Sequence, residues 1–192
     1  MNESLDHWWM AGVHRSVEII RRPKGADIMD YQVHADAQGR LQVSVDCRAV
    51  FPASKQQKQR KIVTRLYNDE QLTPDGSQWK QGELVWTSDS CSTNPAGTRI
   101  VLTTKIASPR LWTAETPNLY TLTVALLDGD NDKEVQAESC RVGFRTVEVV
   151  DGLIKVNGKK ITICGVNRHE HDPDNGKVVS HESMKLDIEI LK

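Results

Sequence analysis

Asn167, Arg168, His169, Glu170 and His171 stand in a row behind Gly165 and Val166, with Asp172 after them. Amide, guanidinium, imidazole and carboxylate side chains at consecutive positions supply donors, acceptors and groups that titrate near neutral pH. The apolar run 161–164 ends just before them, so the polar groups gather where a buried strand empties. That crowding is expensive in a structural turn and ordinary at the carboxyl end of a barrel strand. His169 is the leading candidate, because an imidazole leaving such a strand can aim its nitrogens at a hydroxyl in the cavity mouth. A histidine satisfied by neighbouring backbone is the alternative. Asn167 and Arg168 read as braces of the strand end, Arg168 by pairing with a carboxylate elsewhere. Glu170 and His171 imitate a metal pair, but His-x-His brings no third ligand.

The elements that must position this run are legible on both sides. Upstream, two short strands are joined by a tight turn at Asn157-Gly158, a dipeptide that accepts positive φ at both turn positions. Downstream, residues 180–192 read as an amphipathic helix with Ser180 as N-cap and Met184, Ile188 and Leu191 on one face. A helix this short needs a surface on which to bury its stripe. Between about Asp27 and Val150 the pattern is that of an antiparallel sandwich. Met29, Tyr31, Val33 and Ala35 alternate with polar residues, as do Leu41, Val43, Val45, Cys47 and Ala49, with a turn at 36–39 between. Further strands are expected at 62–67, 84–86, 100–106 and 120–126, and a last one from Val135 to Val149 with a bulge between Ala137 and Cys140. Seven short strands with turn signals between them fit an immunoglobulin-like sandwich. Residues 12–19 alternate like a strand with no partner in sight.

Charge and cysteine usage exclude other classes. Formal net charge is −1, so bulk electrostatics suggests neither a nucleic-acid nor a membrane partner. Apolar runs stay well short of the ~20 residues that cross a bilayer, and the first six residues lack a basic n-region. These readings point to a cytoplasmic location. Cys47, Cys91, Cys140 and Cys164 have no CxxC or CxH spacing, against zinc and redox-motif chemistry. Cys47 and Cys140 could bridge opposed sheets, with free thiols the commoner reading.

Two aromatic stretches carry their own expectations. Residues 109–120 hold Pro109, Trp112, Pro117 and Tyr120, a proline-braced loop that plugs the end of a sandwich. Its Trp112 is expected to cap the core and be mostly buried, and Tyr120 to bond back to upstream backbone in a tyrosine corner. Residues 71–98, polar apart from Trp79 and Trp86, read as a long surface loop around one short strand. A sugar-stacking platform is the alternative use of those two tryptophans.

Four stations, in order, resemble the large β-galactosidases of glycoside hydrolase family 2: residues 8–17, 109–120, 143–145 and 165–171. The resemblance implies a division into 1–22, the last strand of a jelly-roll sugar-binding domain; 23–147, an immunoglobulin-like β-sandwich; and 148–192, the first hairpin, strand and helix of a TIM barrel. The implied fold class is all-β with the beginning of that barrel attached. It implies a fragment of a retaining β-galactosidase acting on terminal β-D-galactosyl residues of lactose type, inactive alone. Retaining chemistry needs an acid and a nucleophile about 5 Å apart, and in the family both glutamates lie on later barrel strands. His169 is implied to hydrogen-bond a sugar hydroxyl, and Asp6 to contact galactose and a sodium ion in the parent, where hard oxygen ligands suit that cation. Magnesium and sodium are implied for the parent and no cofactor for this segment. Its partners would be the remaining domains of the polypeptide and a β-galactoside. A stand-alone carbohydrate-binding module, or part of a β-glucuronidase or β-mannosidase, is the rival reading.

Overall fold

The computed structural model describes residues 12–13, 16–23, 26–49, 60–68, 71–72, 79–80, 82–89, 91–92 and 98–191. Alternation of apolar and polar residues produces strands β1 (Ala26–Ala35), β2 (Arg40–Ala49) and β3 (Arg60–Asn68). Four short strands follow: β4 (Gln71–Leu72), β5 (Trp79–Lys80), β6 (Leu84–Thr87) and β7 (Cys91–Ser92). Then come β8 (Thr98–Lys105), β9 (Tyr120–Asp128) and β10 (Glu134–Val142). A hairpin trio, β11 (Val147–Val150), β12 (Leu153–Val156) and β13 (Lys159–Lys160), precedes helix α1 (His181–Leu191). Two compact units emerge, residues 22–162 and residues 1–21 with 163–192.

In the larger unit, antiparallel sheets of order β1-β2-β8 and β10-β9-β3-β6, with β7 also on β3, share one core. Leu41, Val43, Val45 and Ile100 come from the first sheet, and Ile62, Leu66, Leu122, Val124 and Leu126 from the second. This is the sandwich that the alternation predicts. The turn at 36–39 is built as read: Asp36 Oδ1 accepts the N–H groups of Gln38 and Arg40 at 2.9 and 3.0 Å. Gly39 stands at φ 83°, where a Cβ would collide with the Ile106 carbonyl oxygen.

Several expectations are corrected. Ile28, not Met29, enters the core, because β1 shifts register between Ile28 and Asp30 and leaves Met29 52% exposed. The β10 irregularity falls between Glu134 and Gln136 rather than between Ala137 and Cys140. β10 ends at Val142, and β11 starts a separate sheet instead of continuing one long strand to Val149. Residues 71–98 contain four short strands, β4 pairing with β5 and both β6 and β7 with β3, instead of one. The half-buried Trp86 packs against the core; the side chain of Trp79 lies outside the described residues. In residues 16–20 the alternating pattern forms no strand, and Val17 and Ile19 are exposed, since a strand needs a hydrogen-bonded neighbour. All four cysteines are free.

The loop before β9 closes one end of the sandwich. Tyr120 Oη accepts the Arg110 N–H at 2.9 Å, which is the tyrosine corner. Tyr120 meets the fully buried Phe144 edge-on, ring centroids 5.2 Å apart. Phe144, bridged in parallel to Leu111, fills the place expected of Trp112. Trp112 is only partly buried and lies against Gly143, where an added Cβ would come within 2.9 Å of it. The Arg145 guanidinium covers its ring at 4.3 Å. Below, Asn157 and Gly158 have φ 51° and 77°, as the predicted two-residue turn requires, and Asp151 and Gly152 repeat that geometry between β11 and β12. No described helix is long and apolar enough to cross a membrane.

Candidate functional site

After β13 the chain enters residues 161–171 without forming the expected strand at 161–164; Ile163 is 76% exposed. A first barrel strand is held by its neighbours on both sides, and none pairs with this segment among the described residues. Asn167, His169, Glu170 and His171 are exposed, and the His169 carbonyl accepts the His171 N–H at 3.0 Å. Arg168 is partly buried and turns to α1. Its Nε donates to Asp187 Oδ2 at 2.8 Å, and its Nη2 lies 2.6 Å from the same oxygen. The neighbouring imidazole therefore sits on a backbone braced by a charge-assisted contact.

The turn between this run and α1 is organised by Asp172. Its Oδ1 accepts the N–H groups of Asp174 and Asn175 at 3.0 and 2.9 Å and the Asn175 side-chain amide at 3.1 Å. Its Oδ2 accepts from Ser183 Oγ at 3.4 Å, tying the turn to the first turn of the helix. Backbone donation from Asn175 and Asp174 holds this carboxyl below the usual aspartate range. Ser180 Oγ accepts the Ser183 N–H at 3.1 Å, the N-cap that the sequence predicts. Asp187 and Asp172 were not singled out by sequence reasoning. An Asp-Pro-Asp-Asn-Gly turn was a readable signal for Asp172, whereas nothing local marks Asp187 as the partner of Arg168.

Asp6 lies outside the described residues. Among the described residues no three His, Cys, Asp or Glu side chains converge as metal ligands would. The run offers an imidazole, an amide and a braced guanidinium for hydrogen bonding to hydroxyls. Glu170 is its one carboxylate, whereas double displacement at a glycosidic carbon needs two.

Known proteins agree with this layout. Residues 26–145 match the family described as Glycosyl hydrolases family 2, and residues 147–192 match its TIM barrel domain. Beta-galactosidase 2 of Enterobacter cloacae is 35% identical over 203 residues, covering 99% of this chain and 18% of the relative. A beta-galactosidase of Erwinia tasmaniensis is 36% identical over 197 residues with the same coverage. Among solved structures, a Bacteroides uniformis beta-glucuronidase superposes with TM-score 0.64 at 18% identity, over 87% of this chain and 19% of that one. The Lactobacillus rhamnosus beta-glucuronidase gives 0.56 at 24% identity, over 88% and 24%. These likenesses show a shared fold, and the chain spans about 18% of the length of the galactosidases it matches. With both the sandwich and the segment beyond it accounted for, the chain belongs to glycosyl hydrolase family 2.

Proposed function

We propose that this chain is the central sandwich of a retaining β-galactosidase, joined to the first segment of its catalytic barrel. The observation that carries the reading is identity of 35–36% to beta-galactosidases over 99% of the chain. In this reading the sandwich is a spacer that sets the sugar-binding domain against the barrel mouth. His169 donates or accepts a hydrogen bond at a sugar hydroxyl, and Arg168, held by Asp187, keeps the backbone beneath it in place. Asn167 braces the same strand end. Asp6 supplies a carboxylate to the sugar. Sodium and magnesium belong to the complete polypeptide, and no role of these residues runs through them. The acid that protonates the leaving oxygen and the nucleophile that attacks the anomeric carbon come from the remaining domains, so this segment alone binds weakly and turns nothing over.

The test has two arms. Pure 192-residue chain is assayed on nitrophenyl β-D-galactoside, and no release above background is expected; reproducible hydrolysis would overturn the reading. The complete polypeptide is compared on β-galactoside and β-glucuronide substrates, with galactoside expected to lead in kcat/KM. Preference for the glucuronide would transfer the reading to the activity of the structural neighbours.

A further inference from the structure

Asn157 closes the β12–β13 turn with its backbone, a task that Gly or Asp at the same position would also perform. Its side chain is committed elsewhere. Oδ1 accepts the Thr146 N–H at 2.9 Å, and Nδ2 donates to the Trp112 carbonyl at 3.0 Å, 45 residues away in sequence. The Asn157 N–H adds a bond to the Thr146 carbonyl at 2.9 Å. Both anchors are immobilised in turn. The Trp112 N–H donates to the Phe144 carbonyl at 3.0 Å, with the indole held between Gly143 and Arg145. Thr146 Oγ1 accepts the Ala37 N–H at 3.1 Å, so the link between β10 and β11 is tied to the 36–39 turn as well. Both side-chain bonds are partly buried, where water competes less for them.

We propose that Asn157 is a positioning residue for glycoside hydrolysis. Its amide clamps the β11–β13 sheet to the sandwich end and so fixes the direction in which the chain leaves β13 for the run containing His169. The inference rests on the β-galactosidase reading. Only an amide meets both anchors: a carboxylate would face the Trp112 carbonyl without a proton to donate, and glycine reaches neither.

Asn157→Gly and Asn157→Asp both keep a residue that accepts positive φ, so the turn survives in each. In the 192-residue chain, amides of residues 153–160 are expected to exchange about tenfold faster in the Gly variant, while those of 120–127 stay unchanged. In the complete polypeptide, kcat on nitrophenyl β-galactoside is expected to fall about tenfold or more with KM within about twofold, because displacement of a positioned group acts on the transition state. The Asp variant, which retains the Thr146 bond, should fall between. Wild-type exchange or wild-type kcat in Asn157→Gly would overturn the proposal. So would a loss of kcat matched by an equal loss in the sandwich unfolding midpoint, which marks a purely structural role. If wild-type complete polypeptide fails on β-galactosides, the substrate reading falls, and hairpin exchange alone decides the clamp.

Discussion

Phe144 and Trp112 are joined by a backbone hydrogen bond, yet only Phe144 is fully enclosed. Phe144→Ala opens a cavity in the shared core and should cost about 3–5 kcal/mol. Trp112→Ala removes a ring that solvent and Arg145 already cover on one side, and should cost about 1–2 kcal/mol. Gly143→Ala drives a methyl into Trp112 and should cost about 1–3 kcal/mol. Urea midpoints rank the three; a larger loss for Trp112→Ala than for Phe144→Ala would show the core drawn at the wrong aromatic. The thiols separate in the same way. Cys164 is exposed and should react first with an aromatic disulfide reagent at pH 8. Cys47, whose thiol burial pushes up to about 11, should react only on unfolding. Early modification of Cys47 would contradict its enclosure. Strand alternation made Leu41, Val43 and Leu122 readable as core. Residues 143–145 have no alternation to read, so the choice of Phe144 over Trp112 depends on the loop path, which is a tertiary decision.

At the level of elements, β1 and β2 are fastened by a buried carboxylate. Asp27 has no exposed side-chain surface and accepts from Arg22 Nη1 at 2.7 Å and from Arg48 Nε and Nη2 at 3.2 and 3.0 Å. Burial alone would raise its pKa, but the two guanidinium groups overcome that and hold the carboxyl below the usual aspartate value. A depressed folded-state pKa means that the stabilisation is present above the unfolded value, near 3.9, and is lost as pH falls through the folded one. Asp27→Asn should therefore cost about 1–3 kcal/mol at pH 7, the arginines being half-exposed and able to recover water. The difference should shrink steadily below about pH 4. Urea melts of both proteins from pH 7 to 3 measure it, and a gap that stays constant with pH would refute the linkage. Asp27 stood in the sequence as the first residue of a strand, with nothing to show two arginines on it. The bulge beside it escaped for a related reason. Gln136 accepts the Ile28 N–H at 3.0 Å and donates to the Ile28 carbonyl at 3.3 Å, a side chain 108 residues away completing β1 backbone bonding.

Across the whole molecule, stability is unevenly distributed between the two units, and α1 is where that can be measured. Its 11 residues fall short of the ~12–15 needed for a helix to persist alone, and none of them is buried. Leu186, Ile188, Ile190 and Leu191 are all more than half exposed, so the predicted apolar stripe exists without a cover. What holds the helix is local: the Ser180 cap, the Asp172 contact to Ser183, and ion pairs Arg168–Asp187 and Lys185–Glu189, the latter with both side chains largely exposed. Exposed pairs of this kind contribute about 0–1 kcal/mol, and an N-cap about 1 kcal/mol. β9, central in its sheet, opens only with the domain, whose stability is expected to be of order 5–15 kcal/mol. The cap and the helix span were legible because they follow local rules. The expected strand at 161–164 was misread because its pattern specifies a pairing partner that these residues do not contain. Amides of residues 181–191 should accordingly exchange orders of magnitude faster than those of residues 120–127 in the monomeric chain, and Asp187→Asn should lower helicity further without moving the sandwich midpoint. Equal protection of the two segments would mean that α1 is covered in solution, and that the site run beside it is more firmly held than its own contacts allow.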